Sequence, residues 1–480
     1  MTVPTLVPLL AARAAAQPDR CALAMAGGAS RLTFAQWQAR SGAVAGGLRE
    51  RGVRRGDRVA LCFPAAGWVD YAVAFLGVLR AGAVAVPLST RTAPAVLAEM
   101  LADAGAAGLV TDGAAVPAPV AWTLGVAELE AAAAGPDGPE PAPGDLAQIL
   151  FTSGTTGRAK GVAATHANLG HGLGGRRRPF AHSEHLAHAF PIGTNAGQQM
   201  LLHALDATPT VVTLPQFTPL RFAAMVRDHG AGTVFVVPAM AIELLNADVG
   251  ALPSVRLLGS AAAPLPAAVS ERLRAVVPNA TIVNYYTSTE AAPAQTVMVV
   301  DPARPGSVGQ AVAGGEVRIA TAEGVPLPPG EPGEVWLRCP TAPRSYLGEP
   351  DSAVFRDGWV RMGDLGRMDE DGYLHLIDRT TDVIKSGALK VSTLHVEEAI
   401  HAHPEVVEAA AFGVPHPVLG AVVVAATVVR HPVSDVDLRG FLRTRLAPEE
   451  LPARFVHLDA LPRNASGKVD KRALIERFAA

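Results

Sequence analysis

The chain has 480 residues, 49% of them hydrophobic, and a formal net charge of −3. That length suggests about three structural units with large buried cores, and the charge leaves no broad basic face for nucleic acid. The three cysteines, Cys21, Cys62 and Cys339, are scattered and odd in number, so neither a disulfide framework nor a zinc cluster is expected, which fits a reducing cytoplasm. No apolar run reaches spanning length, so no membrane is expected as a partner, and no positive charge precedes the apolar N-terminal stretch as it would in a signal peptide.

In chain order, "FAQWQARSGAVAGGLRERG" predicts an amphipathic helix, "DRVALCF" a strand, "WVDYAVAFLGVLRAG" a helix and "AVAVPL" a buried strand. This alternation points to α/β units around parallel sheet. Residues 101 to 146 are rich in Ala, Gly and Pro and predict an exposed connector before the strand "LAQILF". A second set follows, with strands in "TPTVVTL", "TVFVVP" and "SVRLLGS" and a helix in "PLRFAAMVRDHG". After residue 300 the texture turns to hairpins, "GEVRIA", "GEVWLRC" and "GWVRMGDLGRMDEDGYLHLID". From about residue 380 a small α+β unit begins, with the helix "STLHVEEAIHAH", the strands "VVEAAAFGV" and "AVVVAATVV", and a closing helix.

The stretch "FTSGTTGRAKG", 151 to 161, is the most pointed. Hydroxyls of Thr152, Ser153, Thr155 and Thr156 and backbone N–H groups freed by Gly154 and Gly157 would converge on an acceptor-rich guest, with Lys160 adding a mobile charge. Such a loop forms an anion-binding concavity suited to a polyphosphate. The phosphate loop of nucleotide hydrolases does not fit, because Lys160 is followed by Gly161. Lysine is otherwise scarce: of 41 basic residues only Lys160, Lys385, Lys390, Lys468 and Lys471 are lysine. A compact, titratable charge on a flexible stem is something arginine cannot imitate, and Lys160, Lys385 and Lys468 are read as functional.

Six stretches in order, "FTSGTTGRAKGV", "GSAAAPL", "YTSTE", "GWVRMGDLG", "DRTTDVIKSGALKVS" and "LPRNASGKVDK", resemble the core motifs of adenylate-forming enzymes, the family of acyl- and aryl-CoA ligases, luciferases and peptide-synthetase adenylation domains. The resemblance implies a large N-terminal domain over 1–379, built of two α/β sheet subdomains and a β-rich one, and a small mobile C-terminal α+β lid over 380–480. It implies a stand-alone ATP- and Mg²⁺-dependent ligase. Such an enzyme joins a small-molecule carboxylic acid to the α-phosphate, releases pyrophosphate, and passes the acyl group to a thiol of CoA or of a carrier protein's phosphopantetheine. An acyl-AMP ligase loading an acyl carrier protein, and a catalytically weak homologue that only binds nucleotide or acyl ligand, are the rival readings.

Carried onto this chain, the resemblance assigns the loop and Lys160 to the β- and γ-phosphates, Glu290 to Mg²⁺ and Thr289 to the α-phosphate. Tyr286 would stack on adenine beside Ala262 and Ala263, Asp364 would accept the ribose hydroxyls, and Arg379 would add a donor. Lys468 would sit between the substrate carboxylate and the α-phosphate, cancelling their repulsion. Lys385 would serve the second half-reaction after the lid rotates.

Three positions depart from the family's pattern: Thr194 where a bulky gating residue is common, Thr287 where glycine is usual, and Thr381 at the hinge, which shifts the pivot toward Asp382. Asn195 stands where activators of α-amino acids place Asp and aryl-acid activators place Asn, which points to an aryl acid with an ortho hydroxyl or amino group, with a plain acyl chain as the alternative. A buried amide can donate to or accept from either substituent. Thr194, Ala196, Gly197, Gly259 and Tyr285 would complete the acid pocket. The basic run "GGRRRPF" is a candidate for the CoA 3′-phosphate or an acidic carrier protein, while the five histidines between 166 and 188 match no zinc spacing.

Overall fold

The computed structural model describes residues 5–28, 30–113, 116, 120–131, 140–153, 159–176, 178–348, 353–387, 389–464 and 468–479. The helix Phe34–Glu50 starts at Thr33, whose hydroxyl accepts from Gln36 N while the Gln36 side chain accepts from Thr33 N, a reciprocal cap that satisfies two otherwise free donors. Its neighbour Trp68–Arg80 has almost no exposed residue, as expected of a helix that is apolar all round. It packs against strands of two different sheets. Gly77 lets the two helices meet, since a Cβ there would lie 2.4 Å from Val44 Cγ1.

One of those sheets has seven strands, in the order Ser345–Tyr346, Ala159–Thr165, Leu146–Ser153, Val84–Ser89, Arg58–Phe63, Gly108–Val110, Thr123–Leu124. The last two correct the reading of 101 to 146 as a connector: this stretch supplies an edge of the sheet and the short helix Val126–Glu130. Strands of two or three residues carry no alternation to read, and Gly108 is needed because a Cβ would fall 2.0 Å from Trp122 Cε2.

The second sheet has fourteen strands. Its parallel part runs Cys21–Met25, Thr210–Thr213, His185–His188, Thr233–Val236, Leu257–Ser260, Thr281–Tyr286. It continues antiparallel through Thr296–Val299, Ser307–Ala311, Leu374–Arg379, Trp359–Met368, Gly333–Arg338 and Glu316–Ala320, which is the hairpin-rich segment expected after residue 300. The third sheet has five strands, Leu389–Val391, Ile384–Ser386, Gly420–Val429, Val406–His416 and Arg454–His457. Helices Thr393–His401, Asp435–Leu442 and Lys471–Phe478 accompany it, and it has cores of its own on both faces. The architecture is the expected one, a large mixed α/β body with a small C-terminal α+β domain. The chain leaves the large sheet at Arg379 and enters the small one at Ile384. The carboxyl ends of the parallel strands open on a cleft, the place where open α/β sheets hold their ligands.

Candidate active site

The hairpin Leu146–Ser153 and Ala159–Thr165 carries the hydroxyl-rich turn and sets Thr152 opposite Lys160. Gly154, Thr155, Thr156 and Gly157 lie outside the described residues, as does the side chain of Ser153. Thr152 Oγ1 donates to Glu290 Oε1 at 3.4 Å, and Tyr346 OH donates to the same oxygen at 3.1 Å. Lys160 Nζ stands 4.6 Å from the centroid of the Tyr346 ring, a cation–π distance. Arg344 donates from Nη1 to Thr289 O at 2.9 Å, and burial lowers its pKa to about 10 although Glu290 opposes the shift. Sequence reasoning missed both Arg344 and Tyr346. Their signal was the "RSYLG" that follows "GEVWLRC", where Tyr346 pairs with Val162 on the loop-bearing hairpin.

Across the cleft, Asp364 and Arg379 are cross-strand partners in the hairpin Trp359–Met368 and Leu374–Arg379. Arg379 Nε donates to Asp364 Oδ1 at 3.1 Å and Tyr286 OH donates to Asp364 Oδ2 at 2.6 Å. Burial, then Asp364, pushes the Tyr286 phenol far above its ordinary range, so it stays protonated and keeps the hydrogen it donates to Asp364. Tyr286 is 9% exposed and packs with Val308, Val360 and Met362, so most of the ring expected to face adenine is committed to the core. The turn after Leu257–Ser260 exposes Ala262 and Ala263, with Ala262 at φ +75, which leaves only methyl groups and backbone at that rim. Thr287 donates its hydroxyl to Ala294 O at 2.7 Å and so ties down its own turn.

From the small domain, Lys468 reaches this group. The residue as a whole is exposed, yet enclosure of the ammonium, and then Arg379, lower its pKa while Asp364 and Glu290 oppose. Lys385 is elsewhere. It is exposed on Ile384–Ser386, opposite Lys390, and does not line the cleft.

On the acid side, Thr194 caps the helix Asn195–Asp206: its hydroxyl accepts from Gly197 N at 3.1 Å and donates to Pro191 O at 2.8 Å. That hydroxyl is therefore used by the fold, a role the gating expectation did not include. Thr194, Asn195, Ala196 and Tyr285 line the cleft with Phe180, Phe235 and His203. Gly197 and Gly259 do not line it but stand behind the wall. A Cβ on Gly197 would lie 2.3 Å from Pro191 O, and one on Gly259 would lie 2.6 Å from Phe235 Cε1 and 3.1 Å from Tyr285 Cε2. Of the basic run, Arg178 is a structural residue, donating to Asp206 O at 3.2 Å and pairing with its carboxylate at 3.7 Å. The five histidines do not converge: among the described residues no group of three or more metal-ligating side chains could hold a metal ion.

The AMP-binding enzyme model matches residues 10–347, and the model of the AMP-binding enzyme C-terminal domain matches 395–468. Feruloyl-CoA synthase of an Amycolatopsis species is 34% identical over 95% of this chain and 96% of that protein. ATP-bound MatB from Rhodopseudomonas palustris superposes with a TM-score of 0.87 at 30% identity, over 100% of this chain and 99% of that one. o-Succinylbenzoate CoA synthetase from Bacillus subtilis, complexed with its acyl-adenylate intermediate, superposes with a TM-score of 0.81 at 28% identity, over 97% of each chain. The chain belongs to the AMP-binding enzyme family. It is an adenylate-forming ligase of the acyl- and aryl-CoA synthetase type. No helix among the described residues is long and apolar enough to cross a membrane.

Proposed function

We propose that the protein activates an aryl acid with an ortho hydroxyl or amino group as its adenylate and transfers the acyl group to CoA. The observation that carries the reading is the convergence of Lys468, from the small domain, with Glu290, Asp364 and Arg379 of the large one. Asp364, held by Tyr286 and Arg379, is set to accept the ribose hydroxyls, and Thr289, fixed through its carbonyl by Arg344, to meet the α-phosphate. Lys160 and Thr152 flank the turn that would hold the outer phosphates. Lys468 then screens the approaching carboxylate from the α-phosphate and follows the charge that develops, which is electrostatic and positional catalysis.

Glu290 suits Mg²⁺. Its Oε1 accepts two hydroxyl donors, and a single protein carboxylate is common for an ion that completes its octahedron with phosphate oxygens and water. When bound, the ion would neutralise phosphate charge. The lid is taken as 380–480, with its pivot at Thr381 and Asp382. Thr381 Oγ1 donates to Asp382 Oδ1 at 2.8 Å, and Asp382 Oδ2 is 3.7 Å from Lys471 Nζ.

The aryl preference rests on two features of the pocket. Asn195 is half-buried on the cleft wall, and its amide makes no hydrogen bond among the described residues. The walls are flat: Phe235 and Tyr285 have ring centroids 5.6 Å apart. CoA as acceptor follows the CoA ligases this chain resembles, among them the feruloyl-CoA synthase. The test is pyrophosphate release with ATP and Mg²⁺ across benzoates, linear fatty acids and amino acids, followed by thioester formation with CoA. Preference for ortho-substituted benzoates is expected; turnover of aliphatic acids alone would reject the aryl reading.

A further inference from the structure

The acid pocket ends in a group that neither the family motifs nor the nucleotide chemistry uses. His203, in the helix Asn195–Asp206, lines the cleft at the far end of a chain of rings. From Tyr285 the chain passes to Phe235 at 5.6 Å, and from Phe235 to Phe180 at 5.6 Å and to His203 at 5.8 Å. Phe180 closes the triangle edge-on to His203, at 5.1 Å and 85°. Tyr285 and Tyr286 face opposite sides of the strand Thr281–Tyr286: Tyr286 holds Asp364 while Tyr285 begins the row of rings, and His203 stands eight residues beyond Asn195 on the same helix, about 12 Å along its axis.

Two features mark this end as built for a ligand. His203 Nδ1 is sealed from solvent without a partner, and neither ring nitrogen is hydrogen-bonded among the described residues. The sealed Nδ1 is out of a ligand's reach, whereas Nε2 is unpartnered and not sealed, so it is the nitrogen that a group entering the cleft can meet. The second feature is Phe180, which adopts φ +57. That is strained for a bulky residue, and such strain collects at ligand clamps. Here it turns the ring onto both His203 and Phe235.

We propose that His203 is a specificity-determining residue whose imidazole hydrogen-bonds a hydroxyl at the edge of the aromatic acid remote from its carboxylate, with the acid's ring held among Phe180, Phe235 and Tyr285. This rests on the aryl-acid reading above and extends it: Asn195 addresses a substituent near the carboxylate, His203 one at the opposite end. Burial lowers the pKa of His203 to about 4, so the ring is neutral at pH 7 and offers one donor and one acceptor. A phenolic hydroxyl can donate to Nε2 in one tautomer and accept from it in the other. A site with a buried polar group discriminates against the analogue lacking the matching group, because that group is then left unpaired.

The experiment compares kcat/KM for 4-hydroxybenzoate and 4-hydroxycinnamate with those for benzoate and cinnamate, in wild type, His203→Phe and His203→Gln. The wild type is expected to favour the hydroxylated acid of at least one pair, and His203→Phe to lower that ratio by about tenfold or more. His203→Gln, which keeps a hydrogen-bonding group, is expected to retain part of it. Because the readout is a ratio between two acids, a general loss of folded enzyme does not move it. A wild type indifferent to the hydroxyl, or a ratio unchanged in His203→Phe, overturns the assignment while leaving an aryl-CoA ligase standing. A wild type that turns over only aliphatic acids overturns the aryl reading and this one with it.

Discussion

Lys471 Nζ lies 2.8 Å from Glu397 Oε1 and donates to Thr393 Oγ1 at 2.8 Å. This pair, mostly withdrawn from water, joins the helices Lys471–Phe478 and Thr393–His401 three residues beyond Lys468. Thr393 in turn donates through its backbone N and its hydroxyl to Asp378, on the last strand of the large sheet before the small one begins. Lys471, three residues beyond Lys468, is thus tied through Thr393 to the last strand of the large sheet. Removing the ammonium leaves Glu397 uncompensated, so Lys471→Met is expected to lower stability by on the order of 3 kcal/mol, while Lys471→Arg loses less. Denaturant unfolding measures this. Equal stability of Lys471→Met and wild type would mean the pair is structurally neutral.

Lys468 and Lys385 stand on different parts of the small C-terminal domain, and of the two only Lys468 faces Asp364, Arg379 and Glu290. Lys468→Ala is expected to lower pyrophosphate release by at least about a hundredfold with ATP binding largely intact. Lys385→Ala should spare that step and slow thioester formation. Rapid-quench measurement of each half-reaction decides the matter, and equal loss of both steps in Lys385→Ala would remove the division of labour.

Asn195→Asp places a carboxylate where the unpaired amide lines the acid pocket. Affinity for neutral ortho-hydroxy acids should fall about tenfold or more, through charge repulsion with the substrate carboxylate and a lost donor. Calorimetric titration of salicylate in the presence of a non-hydrolysable ATP analogue reads this out; unchanged affinity would place Asn195 outside the binding wall.

Three buried histidines and the half-buried His203 set the acid limit of stability. Burial lowers His166, His203 and His401 to about 4 and His188 to about 3, against an ordinary 6.5. Below pH 6.5 the unfolded chain takes up protons that the folded one refuses, so stability is complete above that value and falls as pH drops from 6.5 toward 4. Each such residue costs up to about 1.4 kcal/mol per unit. The Tm should therefore drop steeply between pH 6.5 and pH 5; a flat profile there would show that these rings are hydrated.

The sheets were legible because their signals are local. Continuous apolar runs such as "TVFVVP" and the helix Trp68–Arg80, apolar but for Asp70 and Arg80, state their burial in their own composition. The strands Gly108–Val110 and Thr123–Leu124 were not legible, since two or three residues in an Ala- and Gly-rich stretch become strand only when a neighbouring edge offers hydrogen bonds. Five residues of the six motifs, Thr152, Glu290, Asp364, Arg379 and Lys468, line the same cleft.

The chain's order of residues determined the family, the reaction class and the identity of the charged groups, because phosphate and carboxylate chemistry demands particular side chains at particular turns. Only the tertiary structure decided which of them meet and what surrounds them. Tyr346 and Arg344 come to Glu290 and Thr289 from more than fifty residues away. Thr194 spends its hydroxyl on a helix cap. Phe180, His203, Phe235 and Tyr285 come together from one loop, one helix and two strands to form one wall of the cleft. Burial and hydrogen-bond partnership are properties of what packs across a gap, and no local pattern in a chain carries them.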